Sequence, residues 1–334
     1  MNFAIIGSAH GHIYEFIEDM LSCGGNFVAV YEDNTNTASN IYETYNVPLY
    51  TRLEELLELD IDIVGTSAIN NEKIGIIESC SERSIHVMAD KPLVVNRLDF
   101  ERLKKVVETG RIKVGLMLSM RFMPEVSMVK KMVEEGAIGD IMNIEILTPH
   151  RLNAESRPQW FFEKEKNGNL VVDLMVHSID LFNWFSKGRV IDFKGAIHKK
   201  FLKEKETFYD SAAFLLQSSS GVSGYLRTDW HIPDTHFIWG DLRIFCVGTK
   251  GSLEARVIGD PITREPSIVL YKEGHETKSV SIEKCIGSVT KDFLHRIKGE
   301  EHLISEEDIL EATRPSIEFS DSVVSINNNI KKED

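Results

Sequence analysis

Within Leu170–Phe185, an almost wholly apolar run, Asp173, His177 and Asp180 are the only ionisable residues. At about 3.6 residues per turn, positions four and seven apart share one helical stripe, which predicts all three polar side chains on the same face of a buried helix. Burying a carboxylate and an imidazole costs free energy unless they are paired or put to use. The stripe is therefore a candidate for acid–base chemistry. Its structural alternative is an Asp–His pair, with Asp180 capping or facing solvent.

A second chemical signal opens the chain. Gly7-Ser8-Ala9-His10-Gly11-His12 follows an apolar strand pattern and runs into a helical one, an altered form of the Gly-x-Gly-x-x-Gly turn that cradles a dinucleotide pyrophosphate. Gly7 serves the tight turn, Ala9 is small enough for phosphate to approach, and the helix start presents N–H groups and a positive end. His12 stands where the third glycine belongs. The second strand ends in Tyr31-Glu32-Asp33, where an acid holds the adenosine ribose, with Glu32 expected as the ligand and Asp33 as its reserve. No Lys or Arg occurs from Met1 to Thr51. A 2′-phosphate would meet carboxylates and no neutralising cation, so NAD(H) is expected over NADP(H). A third signal is Asp90-Lys91-Pro92, which places a lysine at the carboxyl end of a parallel strand, where open α/β sheets bind ligands; the bland alternative is a surface lysine.

The elements that must position these groups are legible in outline. The predicted strands Asn2–Ile6, Phe27–Tyr31, Ile61–Thr66, His86–Ala89 and Lys113–Leu118 alternate with amphipathic stretches at Ile13–Leu21, Lys73–Glu82 and Asp99–Glu108, the pattern of a parallel sheet with helices on its faces. A helix over Pro124–Glu135 ends at Gly136. Beyond it, strand-like runs at 141–147, 190–197, 211–217, 223–228, 242–247, 252–257, 267–271 and 278–282 predict a large, mostly antiparallel open sheet with the Asp173 helix on one face. The expected architecture is α/β: a Rossmann domain over residues 1–121 and an α+β substrate-binding and oligomerisation domain over 122–334. A sheet with one open face predicts a homodimer or homotetramer through it.

Composition narrows the function classes. The 334 residues, 42% hydrophobic and 27% charged, are those of a globular protein with two cores, and the net charge of −14 argues against nucleic acid and anionic membrane as partners. The basic cluster His198-Lys199-Lys200 with Lys203 and Lys205 is interleaved with acids and reads as a solvated loop. Cys23, Cys80, Cys246 and Cys285 lack metal-like spacing and are expected as buried free thiols. No metal is expected. The apolar run Phe3–Ile6 is strand-length and broken at Gly7, so neither signal peptide nor membrane span is expected, and the chain reads as cytoplasmic. The tail from Asn327 to Asp334 is polar and expected to fray.

In several motifs taken in order, nearly the whole chain resembles the glucose-fructose oxidoreductase and inositol dehydrogenase family, Gfo/Idh/MocA. The family's Glu-Lys-Pro stands here as Asp90-Lys91-Pro92, its Ala-Thr-Pro-Asn as Ser67-Ala68-Ile69-Asn70, and its glycine-led Asp-x-x-x-His helix as Gly168–His177. Met120-Arg121-Phe122 with Ala137-Ile138-Gly139, and Trp239-Gly240-Asp241 leading to Gly248-Thr249-Lys250-Gly251, are also similar. The glycine turn is the main departure. The resemblance implies Lys91, Asp173 and His177 as the catalytic set. It adds Ala68, Asn70, Asp90 and Lys91 to Gly7, Ser8, Ala9, His10, Gly11, His12, Glu32 and Asp33 as cofactor contacts, and puts Arg121 on the substrate side.

Chemistry agrees with that set. Oxidising a secondary alcohol needs a base within reach of the hydroxyl, and an imidazole titrates near neutrality; Lys91 suits the charge developing on oxygen, and Asp173 the substrate or the imidazole. His150, Arg151, Asn153, Arg157 and Trp160 precede the helix and suit a hydroxylated ring, as well as a carboxylate or phosphate, or else are surface residues. His231 and His236, near Trp230 and Trp239, belong to a second loop. The leading expectation is an NAD-dependent dehydrogenase of a sugar, cyclic polyol or related small molecule. The alternatives are a redox-neutral NAD-dependent glycosidase or lyase, and an NAD-binding sensor on the same scaffold.

Overall fold

The computed structural model describes residues 1–33, 35–199, 201–283 and 287–322. Lys200, Cys285 and the tail from Asn327 lie outside them. Two compact units emerge: the first comprises Met1–Ser119, Glu165–Gly168 and Ile286–Arg314, the second Met120–Lys164, Asn169–Cys285 and the chain from Pro315 onward.

In the first unit, β1 (Asn2–Ser8), α1 (His12–Ser22), β2 (Asn26–Tyr31), α2 (Thr35–Tyr45), β3 (Leu49–Tyr50), α3 (Leu53–Leu56), β4 (Ile63–Ser67), α4 (Lys73–Glu82), β5 (His86–Ala89), α5 (Arg97–Glu108) and β6 (Val114–Leu116) follow one another. The six strands are all parallel in the order β3-β2-β1-β4-β5-β6. This is the doubly wound arrangement, whose direction of winding reverses between β1 and β4, and ligands bind beyond the carboxyl ends of those strands. The strands are fully apolar at their centres, Phe3–Ile6 and Ile63–Val64 being at most 1% exposed, because helices cover both faces.

The second unit holds α6 (Pro124–Glu134), β7 (Ile141–Pro149), α7 (Lys164–Asn167, returned to the first unit), a π-helical turn Val171–Met175, α8 (Val176–Ser186), β8 (Val190–His198), β9 (Ser211–Ser218), β10 (Ser223–Asp229), β11 (Arg243–Gly248), β12 (Gly251–Arg256), β13 (Ser267–Lys272) and β14 (Lys278–Ser279). All eight expected strands form one sheet, ordered β14-β13-β12-β11-β7-β10-β9-β8 and antiparallel except for the parallel β7–β10 pair. Alternate residues such as Ile144, Ile146, Phe214, Leu226, Ile244 and Leu253 are buried with Ile179, Phe182 and Phe319 in a single core. The opposite face exposes Leu215, Val247 and Tyr271.

The chain's last helices differ from the expected division at 121/122. Helix α9 (Val289–Lys298) and the first part of α10 (Glu306–Asp321) belong to the first unit. Their physical tie is specific: Arg296, 5% exposed, donates to the Val114 carbonyl at 2.6 Å and to the Ile304 carbonyl at 3.2 Å. Phe293 also lies beside Gly115, where an added Cβ would stand 3.0 Å from its ring. Cys80 and Cys246 are buried, and burial pushes each thiol up to about 12, whereas Cys23 is exposed, contrary to expectation. Among the described residues no helix is long and apolar enough to cross a membrane.

Candidate active site

At the carboxyl end of β1 the glycine turn is built around Gly7. Its φ of +76° and the approach of Ala68, whose Cβ would lie 2.5 Å from a Cβ at Gly7, leave room for glycine alone. Gly11 caps α1 with φ −64° and has nothing near its missing Cβ, so it is not a steric requirement. Ser8 donates from its N–H and its hydroxyl to Glu32 at 2.5 and 2.6 Å. Glu32 thus braces the turn at the very point where an acid is expected to meet a ribose. Asp33 is bonded to Tyr31, whose hydroxyl it holds deprotonation-resistant, up to about 12. Glu72 is pushed above the usual carboxylate range, by burial first and then by Asp33 and Glu32. This corner is acidic, which suits a ribose diol and opposes a further phosphate. A turn that only glycine can make, opening on a helix N-terminus, fits a dinucleotide pyrophosphate.

At the end of β5, Asp90, Lys91 and Pro92 form a turn with a cis Lys91–Pro92 bond, and Lys91 is 5% exposed. The residue that shapes this turn escaped the sequence analysis. Lys73, fully buried at the start of α4, donates to the carbonyls of Asp90, Lys91 and Pro92 at 3.0, 3.2 and 3.2 Å, and to Asn70 Oδ1 at 3.0 Å. A lysine in a helical pattern carries no sequence signal that it is buried. Asn70 in turn donates to Asn167 Oδ1 at 2.9 Å and to its carbonyl at 3.2 Å, so its amide braces the framework. Around Asp90 gather His12, with Nδ1 2.9 Å from Oδ1, and His10, with Nδ1 3.7 Å from Oδ2. Burial pushes the Asp90 carboxyl up, but Lys73, His12 and His10 together hold it well below the usual range.

In the second unit the apolar helix forms, but not as a uniform one. Asn169 accepts from the N–H groups of Val171 and Val172 at 2.9 and 3.3 Å, capping a π turn that carries Asp173 before α8 carries His177. Such turns widen the helix and shift the register that a 3.6-residue period assumes. Asp173 is 1% and His177 8% exposed. Asp180 is otherwise engaged: Arg121 donates to it from Nε at 3.1 and 3.0 Å and from a terminal nitrogen at 2.5 Å, both residues being 1% exposed. The Arg121 guanidinium also stacks 5.2 Å from the Trp184 ring. Arg121 is thus buried in the core with its fork matched to a carboxylate, and its expected place on the substrate side stays an expectation.

The expected substrate segment divides in the same way. Arg151 donates to the carbonyls of His236 and Ile238 and clamps the loop that carries Trp239. His150 binds the Thr148 carbonyl through Nδ1 at 3.1 Å and packs against Gly240. Trp160 packs against the core, edge-on to Phe161. Arg157 donates from Nε to the Leu152 carbonyl at 3.0 Å. Its guanidinium lies 4.3, 5.4 and 5.3 Å from the rings of Phe161, Trp230 and Trp239, with burial pushing its pKa down and Asp173 opposing that. Nearby, a groove of about 410 Å³ is lined by Leu152, Asn153, Phe201, Trp230 and His231 among others. His231 is 3.1 Å from the fully buried Asp210, a pair that no sequence spacing revealed.

Two family models match the chain: an oxidoreductase family with an NAD-binding Rossmann fold over residues 1–118, and the GFO/IDH/MocA C-terminal domain over 126–254. The chain belongs to the GFO/IDH/MocA oxidoreductases. Among curated relatives, myo-inositol 2-dehydrogenase of Thermotoga maritima is 23% identical over 302 residues, covering 88% of this chain and 83% of that protein. A crystal structure from Erwinia carotovora atroseptica SCRI1043, assigned as an oxidoreductase, shares the fold with a TM-score of 0.89 at 24% identity, covering 98% and 99% of the two chains. Levoglucosan dehydrogenase, solved with NADH and levoglucosan, superposes with a TM-score of 0.79 at 15% identity, covering 96% and 97%. This GFO/IDH/MocA member is an NAD-binding oxidoreductase.

Proposed function

We propose that the chain is an NAD-dependent dehydrogenase acting on a secondary hydroxyl of a sugar, cyclic polyol or sugar derivative. The observation that carries this is Lys91: a buried lysine at the carboxyl end of a parallel strand, on a turn that Lys73 pins through three successive carbonyls. Gly7–His12 and Glu32 would hold the nicotinamide dinucleotide, which would supply a hydride acceptor. His177 takes the hydroxyl proton. Lys91 hydrogen-bonds the same oxygen and stabilises its developing negative charge, and Asp173 orients the hydroxyl or the imidazole.

Relatives named for myo-inositol and levoglucosan support a hydroxylated ring as substrate, and the aromatic rings of Trp230, Trp239 and Phe161 around Arg157 offer apolar faces beside a hydrogen-bond donor. The exposed apolar residues of the second sheet support a homo-oligomer through that face, which light scattering at micromolar protein tests. The functional test is incubation of the protein with NAD and a panel of sugars, polyols, uronic acids and their phosphates, following NADH absorbance. A signal lost in Lys91→Ala and His177→Ala, both of which still bind NADH, is the expected outcome. Silence across the panel despite NADH binding would overturn the dehydrogenase assignment.

A further inference from the structure

The altered glycine turn brings together a donor set that a plain glycine motif lacks. His10 lies in the turn, His12 is the first residue of α1, and Asp90 follows β5; one ligand atom from each falls within 4.8 Å of the others. The two imidazoles stack with centroids 5.1 Å apart and planes inclined by 26°. Asp90 is 1% exposed, and its Oδ2 has no hydrogen-bond partner. The His10 Nδ1, 3.7 Å from that oxygen, is beyond hydrogen-bonding distance. A buried carboxylate oxygen without a donor is costly, and a cation between the three side chains would remove that cost.

We propose that His10, His12 and Asp90 form a binding site for a late first-row divalent transition-metal ion such as Zn²⁺ or Co²⁺. Two imidazoles and one carboxylate are the donors those ions take, whereas Mg²⁺ and Ca²⁺ prefer all-oxygen sets. Metal–ligand bonds of about 2.0–2.2 Å bring donors to about 3.4 Å from one another. The His12 side chain, 48% exposed, has the freedom to close that distance, while Asp90 is fixed by its burial. One carboxylate and two neutral rings leave coordination positions for water or an anionic ligand. The buried Lys73 ammonium and the N-terminus of α1 oppose a cation here, and Glu15, in the first turn of α1, favours it. The expected affinity is therefore that of an exchangeable ion.

The test needs neither substrate nor dinucleotide, so it stands apart from the dehydrogenase assignment. Full-length protein without a histidine tag, stripped with chelator, is titrated with Co²⁺ while visible d–d absorption is recorded, and with Zn²⁺ by calorimetry. One equivalent per chain is expected, with affinity falling at least about tenfold in His10→Ala, His12→Ala and Asp90→Asn, and unchanged in the remote control His302→Ala. If Asp90→Asn does not fold, the two histidine variants decide. Absence of saturable binding, or binding that survives both histidine variants, overturns the proposal.

Discussion

The Arg121–Asp180 pair provides the sharpest test of what positions α8 in the second unit. Both side chains are 1% exposed and joined by a two-pronged contact, with Trp184 stacked on the guanidinium. Replacing Arg121 by Met or Asp180 by Leu leaves one uncompensated charge in the core, a loss of about 3–5 kcal/mol. At about 2–4 °C per kcal/mol for a domain of this size, each single variant should melt about 6–20 °C lower. The double variant Arg121→Met/Asp180→Leu removes both charges and should recover most of that loss. The four tryptophans, Trp160, Trp184, Trp230 and Trp239, all lie in the second unit, so urea unfolding followed by tryptophan fluorescence reads this unit alone. Additive singles with no recovery in the double variant would refute the pairing. An Arg121→Met protein with unchanged stability and weakened substrate binding would restore Arg121 to the substrate side.

Gly7→Ala should destabilise the first unit by about 1–3 kcal/mol, since it places an L-residue at positive φ against Ala68, whereas Gly11→Ala should stay within about 0.5 kcal/mol; thermal melts by circular dichroism compare them. Glu32→Gln should narrow the preference for NADH over NADPH by about tenfold or more, read from the two dissociation constants by nucleotide fluorescence; unchanged preference would show that Glu32 does not set it. Lys73→Met should abolish most turnover while the second unit's tryptophan-detected unfolding stays at the wild-type midpoint, because only the turn bearing Lys91 loses its pins. His86 titrates below its ordinary value because it is half-buried, with nearby Lys113 and Arg296 reinforcing that and Asp62 opposing it, and its Nδ1 accepts from the Lys113 N–H at 2.9 Å. The folded state therefore binds this proton less readily than the unfolded chain: the stability it contributes is present above about pH 6.5 and is lost as pH falls through the folded pKa. His86→Gln should flatten that acid limb, as measured by urea midpoints from pH 5 to 7.

Both sheets were legible because their patterns differ in kind. Continuous apolar strands between helical periods specify a sheet covered on both faces, and strict alternation from Ile141 onward specifies one with an open face. What escaped was long-range and polar. Strand β3 is two residues long, and Thr35–Tyr45 shows too few apolar residues to declare the helix that Ile41 anchors. The return of α9 depends on Phe293 and Arg296 meeting Gly115 and Val114, partners nearly two hundred positions away that no local period encodes. At the site, residue types were readable but not their allegiance. Arg121, Asn70 and Arg151 each had several possible partners, and the structure assigns them to Asp180, Asn167 and loop carbonyls. The spacing of Asp173, His177 and Asp180 gave no sign of the π turn that carries Asp173.

The threading of the first unit from three separated stretches bears on how the protein comes into being. Every strand of its sheet has been synthesised once Leu116 is made, yet Arg296, which satisfies the Val114 carbonyl, and Phe293, which fills the space at Gly115, are synthesised only after the whole second sheet. The nascent nucleotide-binding sheet must wait with its β6 border exposed, and a fragment ending near Ser119 would carry that uncovered border permanently. A premature stop late in the gene would therefore damage the domain encoded first.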